Sequence, residues 1–177
     1  VKVETRGGLK VIEKVGDLFQ VSMGAPSFKN VEIGFLADGE MTDYLLKVNG
    51  SEVEVNGVSI GNPHCVIFTD SLNEELVKKL GPIIENHNLF KNKINVEWAQ
   101  IESKQKVNVA VWERGAGYTL ACGTGACAVF AVARKKGLVE NRAIISLPGG
   151  DLEVEFHGES LFLKGEARKI FEGKINI

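Results

Sequence analysis

The chain has 177 residues, a formal net charge of −2 at pH 7 and 25% charged residues. This length is enough for one good hydrophobic core or two small ones, and the near-neutral charge lacks the basic footprint of a nucleic-acid-binding protein. No apolar run reaches the length of a membrane span and no signal peptide is visible. We therefore expect a cytoplasmic protein with neither a membrane nor a nucleic-acid partner.

The cysteine content bears on the compartment. Three cysteines are an odd number and do not suggest a disulfide framework, which favours a reducing environment. The sequence starts at Val1 rather than at methionine, and we take this to favour a fragment of a longer protein.

The first part of the chain is typical of short strands joined by glycine turns. Three strands are predicted at residues 1–4, 9–15 and 18–22, with turns at Gly7-Gly8 and Gly16-Asp17. Met23-Gly24-Ala25-Pro26 breaks this pattern and marks a candidate domain boundary. Residues 27–43 are weakly patterned, and we interpret them as a long connection.

A hairpin signal follows. Strands 44–48 and 52–55 flank Asn49-Gly50, the strongest short-range hairpin signal. Asn56-Gly57 predicts a second turn, leading into a strand at 58–60.

The middle of the chain alternates strands and helical turns. The turn Gly61-Asn62-Pro63-His64 precedes an apolar strand at 65–68. Asp70, Ser71 or Asn73 can cap a helix that Gly81-Pro82 would end, with a further helical turn at 83–87. Residues 94–101 and 107–113 predict a hairpin across Ser103-Lys104-Gln105.

The central stretch is predicted to run from a strand through a glycine loop to a buried helix. Gly115 and Gly117 allow the loop to turn sharply. Residues 124–136 are helical in pattern and apolar nearly all round until a basic last turn, with Gly137 as the stop. Cys122 therefore lies at the amino end of a buried helix, where unpaired N–H groups and the helix dipole stabilise a thiolate.

The last part of the chain predicts strands at 143–147, 152–156, 160–164 and 167–177. Many short strands with one buried helix favour an α+β fold. We predict a curled, mostly antiparallel, barrel-like sheet wrapped around that central helix.

The residues most suited to catalysis or ligand binding are concentrated around the start of the predicted helix. Cys122 is the sharpest candidate, against the usual fate of a free cysteine as a small buried residue. Gly123 and Thr124 can offer N–H groups to an anion, or can simply allow close packing. Glu113 and Arg114 can hold an ammonium and a carboxylate, as in recognition of an amino acid head group, or can form a solvated pair at a strand edge.

Other polar candidates are weaker. Asn62, His64 and Asn95 can serve a site, or can be a turn amide, a surface histidine and a strand-start amide. We interpret Cys65 and Cys127 as core residues. No His/Cys cluster has the spacing of a zinc site, so we predict no metal.

Three segments carry a specific combination of residues. They are Gly61-Asn62-Pro63-His64-Cys65-Val66, Asn95-Val96-Glu97-Trp98-Ala99-Gln100, and Trp112-Glu113-Arg114-Gly115-Ala116-Gly117 running into Ala121-Cys122-Gly123-Thr124-Gly125-Ala126-Cys127-Ala128. Together they resemble the second half of the diaminopimelate epimerase family. The resemblance is colinear over nearly the whole chain, from Thr5-Arg6-Gly7-Gly8 to the terminal strands.

The resemblance implies a fold of two pseudo-symmetric halves, each a curled sheet around a central helix. It implies that residues 25–166 form the second half. Residues 1–24 and 167–177 would then contribute strands to the first-half domain.

The resemblance also implies an isomerase of lysine and peptidoglycan precursor biosynthesis. In that family two cysteines on opposite faces interconvert LL- and meso-diaminopimelate without a cofactor. Cys122 matches the second catalytic cysteine, and Gly123 and Thr124 match the residues that bind the reacting carboxylate. The family's remaining roles fall on Asn62, Asn95, Glu113 and Arg114 for the distal amino acid end, and on His64 and Glu113 for thiol ionisation.

One feature of the family is not met by this sequence. The first catalytic cysteine should lie upstream of Val1, and neither Cys65 nor Cys127 can replace it, so the missing first half is an expected partner. The family also tends to form homodimers.

Three alternatives remain open. One is a proline or hydroxyproline racemase of the same fold, although proline does not need a distal clamp. Another is a non-catalytic half-domain that only binds a ligand or partner. A redox pair of Cys122 and Cys127 would require a proximity that helical spacing does not give.

Overall fold

The computed structural model describes residues 1–5 and 8–175. Within these ranges it contains twelve strands and three helices. The strands are β1 (Lys2–Thr5), β2 (Gly8–Val15), β3 (Leu18–Gly24), β4 (Tyr44–Val48), β5 (Ser51–Ser59), β6 (Pro63–Phe68), β7 (Asn95–Ser103), β8 (Lys106–Glu113), β9 (Gly117–Thr119), β10 (Arg142–Leu147), β11 (Gly150–His157) and β12 (Ser160–Gly165). The helices are α1 (Asn30–Ile33), α2 (Glu74–Glu85) and α3 (Gly123–Lys135). The turn predicted at Gly7-Gly8 includes Gly7, which lies outside the described residues.

All twelve strands belong to one sheet. Its order is β1-β2-β3-β12-β11-β10-β8-β7-β6-β5-β4, and β9 pairs with β8 beside this path. The pairs β6–β7 and β8–β10 are parallel and the others are antiparallel. The two end strands do not pair with each other, so the sheet is curled but open. This confirms the predicted α+β class and the mostly antiparallel sheet.

The helix α3 is enclosed by this sheet, as predicted. Nine consecutive residues of α3, from 125 to 133, are buried. They pack against inward-facing side chains of the central strands, among them Val109, Ile145 and Leu161. A helix that is apolar on every side must be covered on every side, and the curl of the sheet provides that cover.

A second core lies on the other face of the central strands. Val96 and Trp98 of β7 point away from α3 and pack with Val77 and Ile84 of α2. Period-two alternation explains this arrangement, because neighbouring side chains of a strand point to opposite faces. The strands beneath the site are therefore packed from both sides, which the sequence analysis did not predict.

The predicted end of α2 at Gly81-Pro82 is wrong. The helix starts at the Asn73 cap, whose side chain accepts a hydrogen bond from the Leu76 N–H, and continues to Glu85. Gly81 instead allows α2 to approach Trp112 closely, because a Cβ at this position would lie 2.5 Å from the Trp112 ring. Pro82 removes one helical hydrogen bond, and the tertiary packing compensates for that loss.

The second predicted turn, at Asn56-Gly57, is also wrong, because both residues lie within the continuous strand β5. The side chain of Asn56 accepts a hydrogen bond from the Asp43 N–H. A Cβ at Gly57 would lie 2.5 Å from the sulfur of Met41. Asn56 and Gly57 therefore lie where the segment containing Met41 and Asp43 packs against the strand. The hairpin predicted at Asn49-Gly50 is confirmed.

The ends of the chain differ from prediction in one further respect. Residues 166–175 have neither helix nor strand, so the predicted strand over 167–177 is not formed in the part described. A strand requires a neighbouring edge to satisfy its backbone groups, and the sheet order places none beside this segment. Two short elements, α1 and β9, lie where connections were predicted.

Among the helices within residues 1–5 and 8–175, none is both long and apolar enough to cross a membrane.

The Gly81–Trp112 contact generates a stability prediction. Replacing Gly81 with Ala forces the new methyl group into the indole ring, so the free energy of unfolding falls by about 1–3 kcal/mol. The intrinsic helix preference for Ala acts in the opposite direction by only about 0.5–1 kcal/mol. Urea unfolding, compared with the exposed Lys79→Ala control on the same helix, measures the change. A raised midpoint for Gly81→Ala would contradict this packing.

Candidate functional site

Cys122 is the N-cap residue of α3, which confirms its predicted position at the helix start. Its backbone is extended, and its sulfur accepts a hydrogen bond from the Gly125 N–H at 3.4 Å. The Cys122 carbonyl accepts from the Ala126 N–H at 2.9 Å. These two contacts use N–H groups of the third and fourth helical residues. The N–H groups of Gly123 and Thr124, which come before them, have no acceptor within the helix.

Burial governs the ionisation of this thiol. Cys122 is 7% exposed, and desolvation raises the pKa of its thiol to about 11. Hydrogen bonds from Thr124 and Gly125 lower the pKa, but by less than desolvation raises it, and the charges of Glu97 and Glu113 raise it further. The expectation of a stabilised thiolate considered the amides and the dipole, and it omitted this desolvation cost.

Gly125 makes room for the sulfur and for a buried carboxylate. A Cβ at this position would lie 3.0 Å from Oε1 of Glu97 and 3.3 Å from Sγ of Cys122. Any larger side chain must displace one of the two groups. The second glycine of the Gly123-Thr124-Gly125 segment is therefore required by the site itself.

His64 lies in the interior, which corrects the surface alternative. It is fully buried, and its Nδ1 lies 2.7 Å from Oε1 of Glu97, which is fully buried as well. Burial raises the pKa of the Glu97 carboxyl, and the contact with His64 partly opposes this. Glu97 was not among the predicted site residues, although an acid flanked by Val96 and Trp98 in an apolar strand is a signal of a buried charge.

Asn62 connects this pair to the thiol. Its Oδ1 lies 3.1 Å from Nε2 of His64, and its Nδ2 donates to Oγ1 of Thr124 at 3.3 Å. Oγ1 of Thr124 is in turn 3.5 Å from Sγ of Cys122. Four of the predicted site residues are thus joined in one chain of contacts that begins at Glu97.

Asn95 joins two loops. It lies opposite His64 in the parallel register of β6 and β7. Its Nδ2 donates to the Pro63 carbonyl at 2.8 Å, and its Oδ1 accepts from the Arg114 N–H at 2.9 Å. The turn that carries Asn62 is thereby fixed to the loop that carries Arg114.

Glu113 is the last residue of strand β8 and Arg114 follows it directly, so the strand delivers both to its end as predicted. The Glu113 carboxylate accepts a hydrogen bond from the Thr119 hydroxyl at 2.6 Å. The guanidinium of Arg114 is exposed and donates to the Asn92 carbonyl at 3.1 Å. Glu113 is half-buried whereas Arg114 is exposed. The contacts of both residues with a ligand remain predictions.

A buried carboxylate outside the predicted set supports the same loop. Glu85 of α2 accepts from Nε1 of Trp112 at 2.8 Å and from the Gly115 N–H at 3.0 Å. Burial raises the pKa of this carboxyl, but the two hydrogen bonds and the nearby Lys93 outweigh that effect and hold it below its usual range. Sequence alone gave no signal for Glu85, because it appears as one acid in an amphipathic helix.

The other two cysteines are core residues, as predicted. Cys65 and Cys127 are fully buried, and all three cysteines are free thiols. Burial raises the pKa of both thiols, that of Cys127 to about 12. No group of three or more His, Cys, Asp or Glu side chains arranged to hold a metal ion occurs among the residues that the structure describes.

Comparison with known proteins gives a consistent result. Residues 57–170 match the family model described as diaminopimelate epimerase. Curated diaminopimelate epimerases of Halothermothrix orenii and Stutzerimonas stutzeri are 41% and 40% identical to the chain over its whole length. The chain spans 65% of the length of each of these relatives.

Solved structures show the same fold at low identity. A hydroxyproline epimerase from Agrobacterium vitis matches 94% of the chain and 56% of its own length, with a TM-score of 0.66 and 14% identity. A PhzF-family phenazine biosynthesis protein from Enterococcus faecalis matches 100% of the chain and 65% of its own length, with a TM-score of 0.60 and 11% identity. At these identities the likeness shows the fold alone.

The raised thiol pKa generates a prediction for alkylation. Because the pKa of Cys122 is about 11, its reactive thiolate fraction increases roughly tenfold per pH unit below that value. The iodoacetamide rate at Cys122, followed by mass spectrometry, should therefore keep rising beyond pH 10. A small exposed thiol, with a pKa near 8.5, levels off earlier and serves as the reference. A plateau at Cys122 by pH 9, with Cys65 and Cys127 unmodified, would contradict the assigned burial.

Proposed function

The chain belongs to the diaminopimelate epimerase family, and on this premise we propose that it carries one half of the active site of an amino acid epimerase. The reaction inverts one α-carbon and interconverts LL- and meso-diaminopimelate, a step in lysine and peptidoglycan precursor biosynthesis. The enzyme is an isomerase, works without a cofactor and acts in the cytoplasm.

The observation that carries this proposal is the position of the Cys122 sulfur. It lies at the start of α3, beside the N–H groups of Gly123 and Thr124 and next to the Thr124 hydroxyl. A substrate carboxylate bound to those N–H groups places its α-carbon close to the sulfur. The same residues can then both remove a proton and stabilise the resulting charge.

The chemistry explains why a buried thiol suits this task. An α-proton beside a carboxylate is a very weak acid, so its removal requires a strong base and a stabilised carbanion. Burial makes the Cys122 thiolate scarce but more basic, because its pKa rises to about 11. Charge moves onto the carboxylate oxygens as the proton leaves, and one preorganised donor to such oxygens is worth roughly 3 kcal/mol in comparable sites.

The other predicted roles follow the same arrangement. Asn62, Asn95, Glu113 and Arg114 hold the distal, non-reacting amino acid end of the substrate. Support comes from the contacts of Asn95, which fix the Asn62 turn to the Arg114 loop. His64 and Glu113 adjust the ionisation of the thiol, and the path from His64 through Asn62 to Thr124 supports the first of these two roles.

The two-cysteine mechanism requires a second thiol on the opposite face of the substrate. Cys65 and Cys127 are sealed in the cores, so we assign the second thiol to a segment outside these 177 residues. In this assignment residues 25–166 form the second-half domain, while 1–24 and 167–177 associate with the first half. The whole enzyme is a homodimer of such two-domain chains.

A second candidate function rests on the same observation. Because Cys122 is the least buried of the three thiols, at 7% exposed against 0% for Cys65 and Cys127, the 177-residue chain by itself is a binding half-domain for an amino acid carboxylate. Epimerisation and binding are separated by assaying both on this chain and on a protein that also carries the first-half segment. Proline and hydroxyproline as substrates test the racemase alternative in the same assay.

The direct test replaces the proposed base. In a protein that also carries the first-half segment, Cys122→Ala removes a group that exchanges the α-proton, and positioned acid–base groups contribute about 10²- to 10⁴-fold. Exchange of the diaminopimelate α-hydrogen with deuterated water should fall by that factor. Cys65→Ala, which removes a thiol from the second core, is the matched control. Near-normal exchange in Cys122→Ala would remove this residue from the mechanism.

A further substitution tests the distal clamp. Arg114→Ala removes a charge-assisted contact to the distal carboxylate, worth about 1.5–3 kcal/mol, so kcat/KM for diaminopimelate should fall about 10- to 100-fold. The exposed Arg142→Ala variant controls for loss of one positive charge. An equal loss on a substrate analogue without the distal carboxylate would disprove the clamp.

A further inference from the structure

We propose that Glu97 is a positioning residue for the Cys122 sulfur. It fixes the protons of His64, and through His64 the side-chain amide of Asn62, so that the Thr124 hydroxyl donates to the sulfur. As an epimerase residue Glu97 depends on the proposed function, whereas its effect on the sulfur can be measured without any epimerase activity.

The orientation of the Asn62 amide is the starting point. Its Nδ2 donates to Oγ1 of Thr124, and its Oδ1 therefore faces Nε2 of His64. An amide oxygen can only accept a hydrogen bond. Nε2 of His64 must accordingly carry a proton, since two lone pairs at 3.1 Å would repel each other.

The same reasoning applies to the other ring nitrogen. Nδ1 of His64 and Oε1 of Glu97 lie 2.7 Å apart, a distance that requires a proton between them. The pair therefore holds two protons, as imidazolium with carboxylate or as imidazole with carboxylic acid. Its net charge is zero in both cases, so it opposes a thiolate at Cys122 less than a lone carboxylate would.

The consequence reaches the sulfur through Thr124. Because Asn62 donates to Oγ1, one acceptor site of this hydroxyl is occupied, and its own proton is available to Sγ at 3.5 Å. Without Glu97, His64 can place its single proton on Nδ1 and leave Nε2 as an acceptor. Asn62 then flips so that its Nδ2 donates to Nε2 and its Oδ1 accepts a hydrogen bond from the Thr124 hydroxyl. The sulfur thereby loses this donor.

The burial of Glu97 lowers the folding stability of the protein. The side chain is fully buried and its Oε2 has no hydrogen-bond partner. A buried, partly satisfied carboxyl costs stability relative to an apolar residue of similar size. The positions on either side of Glu97 in this strand are occupied by apolar residues, Val96 and Trp98, which face the second core. A cost of this kind is expected where function requires it.

The charged groups that face the Cys122 sulfur come from three strands. They are Glu97 on β7, Glu113 at the end of β8, and His64 on β6 through Asn62. Two roles for Glu97 predict opposite effects of its removal. If it acts only as a negative charge, its loss lowers the thiol pKa and speeds alkylation. If it acts through Thr124, its loss slows alkylation.

The experiment measures the rate of Cys122 alkylation by iodoacetamide between pH 7 and 10.5 in the 177-residue chain. Glu97→Ala is expected to slow it 3- to 10-fold at fixed pH, on the order of the net contribution of one ordinary hydrogen bond. Glu97→Gln restores the rate, because its amide can donate to Nδ1 and keep the proton on Nε2. Glu102→Ala, an exposed acid on the same strand, is the matched control and leaves the rate unchanged.

A double-mutant comparison separates positioning from general damage. Thr124→Val alone slows alkylation, Thr124→Ser does not, and adding Glu97→Ala to Thr124→Val has no further effect. Faster alkylation in Glu97→Ala, or additive slowing in the double variant, would overturn the proposal.

A misfolded variant reveals itself by alkylation of Cys65 and Cys127. In that event Glu97→Met, which fills the space of the carboxyl with an apolar side chain of similar size, replaces Glu97→Ala with the same expected slowing and the same non-additivity. Additive slowing by Glu97→Met would likewise overturn the proposal. If these rates behave as expected and no epimerisation is found, the proposed function fails while the role of Glu97 stands.

Discussion

The desolvation of one thiol is the constraint on which the site depends. Cys122 is placed by its N-cap role at the start of a helix that the sheet surrounds, and this burial raises its pKa to about 11. The contacts that oppose desolvation are few: the Gly125 N–H and the Thr124 hydroxyl. Each residue that orients these donors therefore has a large effect on how often the thiolate forms and how strong a base it is.

The two cores give this site a rigid base. The strands β6, β7 and β8 are packed against α3 on one face and against α2 on the other. Because alternation sends successive side chains to opposite faces, His64 and Glu97 point to the α3 side while Cys65 and Val96 point to the α2 side. A tightly packed interior resists displacement. The contacts that lead from Glu97 through His64, Asn62 and Thr124 to Cys122 are therefore held in a fixed geometry.

Local signals predicted the elements, and non-local packing determined where they were wrong. The Asn49-Gly50 hairpin and the buried α3 helix follow from turn chemistry and apolar patterning, and both are confirmed. Gly57 and Gly81 appear as turn and stop signals, yet each accommodates a side chain distant in sequence, Met41 or Trp112. In the site, the motif residues could be named from sequence, but the partner of His64 could not, because Glu97 lies 33 positions away on another strand.

The central claim is that the start of α3 binds an amino acid carboxylate directly beside the Cys122 sulfur. Protection of Cys122 from iodoacetamide by diaminopimelate tests this claim most directly, with cadaverine, which lacks both carboxylates, as the reference. The account predicts that LL- or meso-diaminopimelate slows alkylation of Cys122 in a saturable manner and that cadaverine does not. Equal alkylation rates with and without saturating diaminopimelate, or equal protection by cadaverine, would contradict it.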